Sequence, residues 1–150
     1  FLENALKLNE SFDETNFGLD TGVCCFSNEM GIRKYSGAKM NLYEKIGDSL
    51  NEYKGDKKSI GYESKDHPIA FKTHEMQVNN DSSFFFFSDG VTDQIGGEKN
   101  IMYGKKRVLN QVEKFSDVSS VIKGISKDLV EYQKDQKRRD DLSLFGFSIA

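Results

Sequence analysis

Apolar residues recur at helical spacing in the last third of the chain and predict two helices there. The longer pattern runs from 116 to 139 and contains Val118, Val121, Ile122, Ile125, Leu129 and Val130. Because positions i, i+3, i+4 and i+7 share one face of a helix, this stripe predicts a helix packed on a core. Ser116 or Asp117 is a suitable N-cap, and the charged end "KDQKRR" is expected to be solvated. A second helix is predicted by Val108, Leu109, Val112 and Phe115.

Short apolar or alternating runs predict strands. The run "FFFFS" at 84–88 is continuously apolar, which is typical of a strand buried on both faces, so we expect it to be central in a sheet. The alternation at 142–147 predicts a last strand that returns to the sheet after the two helices. Further strands are predicted within 23–26, 32–38, 40–46 and 69–78. Residues 47–67 are predicted to be a loop, with a short strand edge within it left open, and residues 1–12 the end of a helix.

Composition narrows the function classes. The 150 residues suffice for one domain, and a net charge of −3 gives no reason to expect a nucleic-acid partner. No apolar stretch approaches the roughly 20 residues that span a bilayer, and no signal-peptide pattern is present, so no membrane contact is expected. Cys24 and Cys25 are predicted to be buried reduced thiols, and His67 and His74 are predicted to be isolated loop or surface residues. These residues do not have the spacing of zinc ligands, so a zinc site is not expected. A reducing compartment, the cytoplasm, is therefore predicted.

Carboxylates stand at the ends of two predicted strands. Asp89 follows the phenylalanine run, and Asp140 and Asp141 precede the last strand. If these strands are antiparallel neighbours, the end of one meets the start of the other and the carboxylates converge. Like charges held together repel unless a cation neutralises them, and an oxygen-only cluster suits magnesium or manganese. Gly90 would let the backbone turn sharply beside the ion.

Spacing alone leaves a purely structural role for these residues open. Asp-Gly after a strand is an ordinary turn signal, and Asp-Asp before a strand is often a solvated edge. A calcium loop of the EF-hand type is excluded, because the third position from Asp89 is Val91, which offers no oxygen ligand.

The ordered motifs nevertheless resemble one family. "FFFFSDGVTDQIGGEKN", "YGKKR", a helix pair and "RRDDLSLFGF" are together similar to the C-terminal part of bacterial SpoIIE/RsbU-type serine phosphatases, a branch of the metal-dependent protein phosphatase (PPM) superfamily. Upstream, "FGLDTGVCCFSNEMGIRKYSGAKMNLY" resembles the hairpin that follows the first long helix of these domains. The likeness covers essentially the whole chain, and although a single Ser-Asp-Gly would be weak, the ordered set is specific.

The resemblance implies an α+β fold, an antiparallel β-sandwich flanked by helices, with the site at one end. It implies hydrolysis of phosphoserine or phosphothreonine on a protein, through two Mn²⁺ or Mg²⁺ ions that activate a water. By position, Asp89 and Asp140 match catalytic, metal-ligating aspartates. Asp141 matches an orienting neighbour, and Gly90 matches the glycine of the Asp-Gly turn.

One family motif is missing. These enzymes also carry an Asp-Gly pair on an early strand, whose aspartate bridges the two metals, and no such pair stands before the helix predicted at 1–12. Asp20 falls where the family has a strand start, so it is not assigned to the site. We therefore expect residues 1–150 to be the C-terminal three-quarters of a single SpoIIE-type domain, N-terminally incomplete, and expect this piece alone to have little or no turnover.

The implied partners follow from the family. By analogy, the substrate would be a phosphorylated anti-sigma-factor antagonist with a STAS domain, and a sensor or receiver domain would precede this chain in its parent. The alternative is a phosphatase-like module that binds a partner without catalysis, and the sequence upstream of residue 1 would discriminate the two. A plainer alternative is an α+β domain whose aspartates only cap turns.

Overall fold

The computed structural model of the chain describes residues 18–27, 32–61, 70–77 and 81–149. The chain divides into two compact units, Phe1–Leu42 with Tyr53–Gln77 and Tyr43–Glu52 with Val78–Ala150. The helix end predicted at 1–12, and His67, lie outside the described residues. No helix in the described ranges has the length and apolar character needed to cross a membrane.

The first unit contains a three-stranded antiparallel sheet. Strand β1 (Thr21–Ser27) pairs with β2 (Ile32–Ala38), which pairs with a short β5 (Thr73–Glu75). Neighbouring residues on a strand point to opposite faces, so Cys24 is half-buried while Cys25 is exposed. The prediction of two buried thiols is therefore wrong for Cys25. His74 is not a loop residue either, because it lies half-buried in β5 with its ring stacked on Tyr35.

The second unit contains a four-stranded antiparallel sheet. Its strands are β3 (Leu42–Ile46), β4 (Ser49–Tyr53), β6 (Ser82–Phe87) and β9 (Leu144–Ser148), in the order β4-β3-β6-β9. The phenylalanine run forms the central strand β6, as predicted, and Phe84 and Phe85 are both buried although they face opposite sides. The short strand edge left open within the predicted loop at 47–67 is present as β4, and Gly47, with φ of 54°, closes a tight hairpin between β3 and β4.

Three helices and a small hairpin complete this unit. They are α1 (Asp89–Thr92), α2 (Lys105–Lys114) and α3 (Val118–Gln133), with strands β7 (Ile95–Gly96) and β8 (Ile101–Met102) between α1 and α2. The apolar stripes of α2 and α3 meet the face of the sheet that carries Phe85. The buried core there consists of Tyr43, Phe85, Val91, Tyr103, Val108, Val112, Val121, Ile125 and Leu129.

The boundaries of α3 differ from the prediction at one end only. Asp117 is the N-cap, as expected, and its carboxylate accepts a hydrogen bond from the N–H of Ser120 at 2.9 Å. The helix ends at Gln133, because Lys134 adopts φ of 50°, so "KDQKRR" lies outside it. Val130, predicted on the apolar stripe, is 65% exposed. The α+β class with antiparallel sheets is confirmed.

Candidate functional site

The end of β6 and the start of β9 lie side by side. Phe87 and Leu144 form the last pair of the antiparallel ladder. Beyond it, the N–H of Ser88 donates to the carbonyl oxygen of Ser143 at 3.0 Å, and the N–H of Ser143 donates to the Ser88 hydroxyl at 3.0 Å. These two bonds extend the pairing past the strands, so the segments after β6 and before β9 are held together at one edge of the sheet.

Gly90 brings the two acidic segments into backbone contact. A Cβ atom at this position would lie 2.2 Å from the carbonyl oxygen of Asp141 and 3.5 Å from the carbonyl carbon of Asp140. The Ser88 hydroxyl donates to the same Asp141 carbonyl at 3.1 Å. Since no side chain fits in that gap, a glycine is required for this approach. The convergence expected from the sequence is thus present in the main chain.

Asp89 starts α1, and its backbone is held by the turn it begins. Its carbonyl oxygen accepts hydrogen bonds from the N–H of Asp93 at 2.8 Å and from the Thr92 hydroxyl at 3.1 Å. The residue is exposed, and its carboxylate has no ion pair or hydrogen bond to any residue in the described ranges. Strand β6 therefore ends in a carboxylate that the fold positions but does not neutralise.

Asp140 and Asp141 are also exposed at this edge. The Asp140 carboxylate accepts a hydrogen bond from the N–H of Asp141 at 2.8 Å, which fixes the local turn. Neither carboxylate pairs with a cationic side chain within the described part of the chain. All four residues predicted for the site, Asp89, Gly90, Asp140 and Asp141, thus lie at one edge, while their chemical roles stay predictions.

The donors at this edge fit part of a ligand set for a hard divalent cation. They are carboxylates without cationic partners, which is the donor type that Mg²⁺ and Mn²⁺ prefer. In the ranges that the structure describes, however, no group of three or more His, Cys, Asp or Glu side chains is placed to hold a metal ion. The described residues would therefore contribute ligands to such a centre without completing it.

Two residues that sequence reasoning left without a role help to build this edge. The Ser88 hydroxyl bridges Asp141 and Ser143, as described above. Gln94 is 1% exposed, and its Nε2 donates to the carbonyl oxygens of Ile95 at 3.0 Å and Lys137 at 3.2 Å. Ser88 stands between a strand and Asp-Gly, where a polar residue signals a turn. Nothing in the sequence showed that Gln94 would be buried.

Solved structures place this fold in a known class. The SiaA-PP2C domain of Pseudomonas aeruginosa matches with a TM-score of 0.76 and 24% identity, over 87% of this chain and 51% of that one. The phosphatase domain of the cell fate determinant SpoIIE from Bacillus subtilis matches with a TM-score of 0.63 and 11% identity, over 97% of this chain and 62% of that one. A structure of that domain presoaked with Mn matches with a TM-score of 0.61 and 12% identity. The likeness shows a phosphatase fold of the PP2C type.

The family follows from the sequence match. A family model described as Stage II sporulation protein E (SpoIIE) matches residues 42–149, and the chain belongs to this family. The resemblance to SpoIIE-type domains is therefore confirmed. A comparison with curated proteins finds no match. The chain spans about half of the SiaA domain's length and 62% of the SpoIIE domain's length.

Proposed function

We propose that the chain is part of a metal-dependent protein serine/threonine phosphatase that hydrolyses phosphoserine or phosphothreonine on a signalling protein. The observation that supports this most strongly is the backbone contact between Gly90 and Asp141, which juxtaposes the acidic ends of β6 and β9. A turn signal alone would not require these two distant segments to touch. Family membership supplies the reaction class, and the contact supplies the place in this chain where the reaction would occur.

The proposed roles follow the geometry of the edge. Asp89 and Asp140 would hold Mn²⁺ or Mg²⁺, because both carboxylates are exposed and unpaired with cations among the described residues. When bound, two such ions neutralise phosphate charge and supply an activated water. Asp141 would orient its neighbour Asp140, and Gly90 permits the close approach. The hydrogen bonds that continue beyond the Phe87–Leu144 pair hold these groups in place before substrate arrives.

The substrate proposal rests on the family alone. By family analogy, the protein would act in partner-switching signalling. We therefore propose a phosphorylated anti-sigma-factor antagonist with a STAS domain as the substrate. A sensor or receiver domain in the same protein would control the activity. Fold does not fix substrate, and this part of the proposal therefore needs a direct test with purified candidates.

The decisive experiment measures phosphate release from a phosphoserine peptide by the full-length protein, with and without Mn²⁺ or Mg²⁺. We expect turnover only with metal, and a loss of more than about a hundredfold in Asp89→Asn and in Asp140→Asn, because a lost ligand costs more than a lost supporting contact. Asp48→Asn, at the exposed turn between β3 and β4, is the matched control and should keep its activity. Unchanged turnover in Asp89→Asn would remove that residue from the chemistry.

A second candidate is a phosphatase-like module that binds a partner without catalysis. It is favoured by one observation, the absence of a complete cluster of metal-ligating side chains in the described ranges. The same experiment separates the two functions. A full-length protein that binds its phosphorylated partner but releases no phosphate at any metal concentration is the module, whereas metal-dependent release identifies the enzyme.

A further inference from the structure

A basic segment stands directly before the second acidic pair of the site. Residues 134–139, "KDQKRR", carry four cations and one carboxylate, although the whole chain has a net charge of −3. All six residues are exposed. We use the name basic segment for its last three residues, Lys137, Arg138 and Arg139, which adjoin Asp140. This local excess of positive charge is opposite in sign to the rest of the chain and needs an explanation.

The position of the basic segment is fixed from both sides. On one side, the buried Gln94 donates from Nε2 to the carbonyl oxygen of Lys137 at 3.2 Å. On the other, the Ser88 hydroxyl donates to the carbonyl oxygen of Asp141 at 3.1 Å. Consecutive Cα atoms are about 3.8 Å apart, so Arg138 and Arg139 lie within about 8 Å of Asp140 along the backbone. The segment is therefore anchored beside the candidate site.

Among the described residues, the side chains of these cations have no partner. In the described residues, ion pairs are made by other lysines: Lys34, Lys39, Lys105 and Lys127. No described residue forms an ion pair or a hydrogen bond with the side chain of Lys137, Arg138 or Arg139. The basic segment also leaves the neighbouring carboxylates of Asp140 and Asp141 without a cationic partner. Exposed arginines whose side chains pair with no described residue are available to a partner.

We infer that the basic segment selects phosphoprotein substrates that carry acidic side chains next to the phosphorylated residue. The inference rests on the proposed phosphatase function and adds the chemistry of the substrate. Guanidinium groups bind carboxylates through two parallel hydrogen bonds, so Arg138 and Arg139 suit acidic flanking residues. A polyanion such as a nucleic acid fits less well, because three cations give few phosphate contacts and Asp140 and Asp141 repel a continuous charged backbone.

The test compares two phosphoserine peptides of the same sequence, one flanked by Glu and one by Gln. In the full-length protein we expect Arg138→Gln/Arg139→Gln to raise KM for the Glu-flanked peptide about five- to tenfold, because each exposed pair contributes modestly. KM for the Gln-flanked peptide should change less than about twofold. The matched control is Lys106→Gln/Lys123→Gln, which removes two exposed charges from α2 and α3 and should preserve the preference.

Salt gives a second readout of the same interaction. Raising the salt from about 0.1 M to 1 M shortens the Debye length from about 10 Å to about 3 Å, so the preference for the Glu-flanked peptide should disappear in the wild type. A salt-independent preference, or an equal KM ratio in wild type and double variant, would overturn the inference. Tight binding of RNA or of anionic lipid vesicles that is lost in the double variant would overturn it as well.

Failure of the proposed function is separated from failure of this inference by measuring binding directly. The same two peptides, labelled with fluorescein, are titrated with the full-length protein and followed by fluorescence anisotropy, which needs no turnover. If no phosphate is released but the Glu-flanked peptide binds about five- to tenfold more weakly to the double variant, the proposed function fails and the inference stands. If both proteins bind both peptides equally, the inference fails, whatever the activity.

Discussion

At the scale of single residues, Gly90 makes the strongest structural demand at the site. The methyl group of Gly90→Ala would lie 2.2 Å from the Asp141 carbonyl oxygen, which belongs to the backbone and cannot rotate away. We expect the two segments to separate, with a loss of about 1–3 kcal/mol in the free energy of unfolding and at least about a tenfold loss of phosphate release. Urea unfolding and a phosphate assay check this. Ser119→Ala, exposed on α3, is the control, and equal behaviour of the two variants would contradict the prediction.

Lys45 is a buried cation with a structural explanation. Its side-chain nitrogen donates to the carbonyl oxygens of Val112 at 2.7 Å, Glu113 at 2.9 Å and Phe115 at 2.5 Å. These carbonyls end α2 and have no partner within the helix, and a cation there also suits the helix dipole. Lys45→Met should therefore lower the free energy of unfolding by about 1–3 kcal/mol. The exposed Lys123→Met serves as the control in urea unfolding, and a stability equal to that of this control would rule out the capping role.

The adjacent thiols should differ in reactivity. Burial raises the pKa of the Cys24 thiol to about 11, so only about one thiol in a thousand is ionised at pH 8. We expect Cys24, measured in Cys25→Ser, to react with iodoacetamide at least about tenfold more slowly than the exposed Cys25, measured in Cys24→Ser. Because a raised pKa favours the neutral thiol in the fold, its stabilising effect is present at neutral pH and is lost as the pH rises from 9 through 11. Equal rates at pH 8 would contradict the burial of Cys24.

At the scale of elements, α3 begins with a cap that titrates. The hydrogen bond from Ser120 lowers the pKa of the Asp117 carboxyl, so the charged form stabilises the helix. A lowered pKa means that this contribution is present above the ordinary carboxyl range and is lost as the pH falls through the lowered value. Asp117→Ser keeps an acceptor for the same N–H but does not titrate. The difference in melting temperature between wild type and Asp117→Ser should therefore shrink in acid, and a difference independent of pH would refute the role of the charge.

Some helices and strands could be predicted from the sequence, and others could not. The phenylalanine run predicted β6, and the stripe from Val118 predicted α3, because burial on a sheet and on a helix leaves distinct periods in the sequence. Strand β4 was left open only as a short strand edge within a loop, because its edge position lets polar residues occupy it. The end of α3 was missed because Lys134, rather than a glycine, adopts the positive φ that ends the helix. A polar edge strand and a helix end without glycine therefore leave little signal in a local sequence pattern.

The residues of the candidate site could also be predicted only in part. Its acidic residues were found because Asp89 and Asp140 flank apolar strands, and antiparallel neighbours bring such ends together. Gln94 was not found, because its burial depends on a contact with Lys137, which is distant in the sequence. The exposed state of Cys25 was equally hidden, since an apolar run does not show that one face of the strand is exposed. Sequence therefore indicated the charged groups, while the structure added the polar contacts that position them.

At the scale of the whole molecule, a metal held at this edge would stabilise the folded state by mass action. A ligand that binds only the native state adds RT ln(1 + [L]/Kd), which is about 1.4 kcal/mol for 1 mM metal and a Kd near 0.1 mM. For a chain of this size that corresponds to a rise of about 3–6 °C in melting temperature. We expect the melting temperature of the full-length protein to rise with Mn²⁺, because Asp89 and Asp140 would hold the cation only in the folded state.

This thermal measurement tests the metal site without any phosphatase assay. Asp89→Asn should remove most of the Mn²⁺-dependent rise, while the matched Asp48→Asn should keep it, because Asp48 lies at the turn between β3 and β4. The metal-free Asp89→Asn protein should be about as stable as the wild type, since the Asp89 carboxylate is exposed and forms no ion pair with a described residue. A rise of equal size in wild type and Asp89→Asn would place the bound metal elsewhere on the protein, and the acidic edge would then be an ordinary solvated turn.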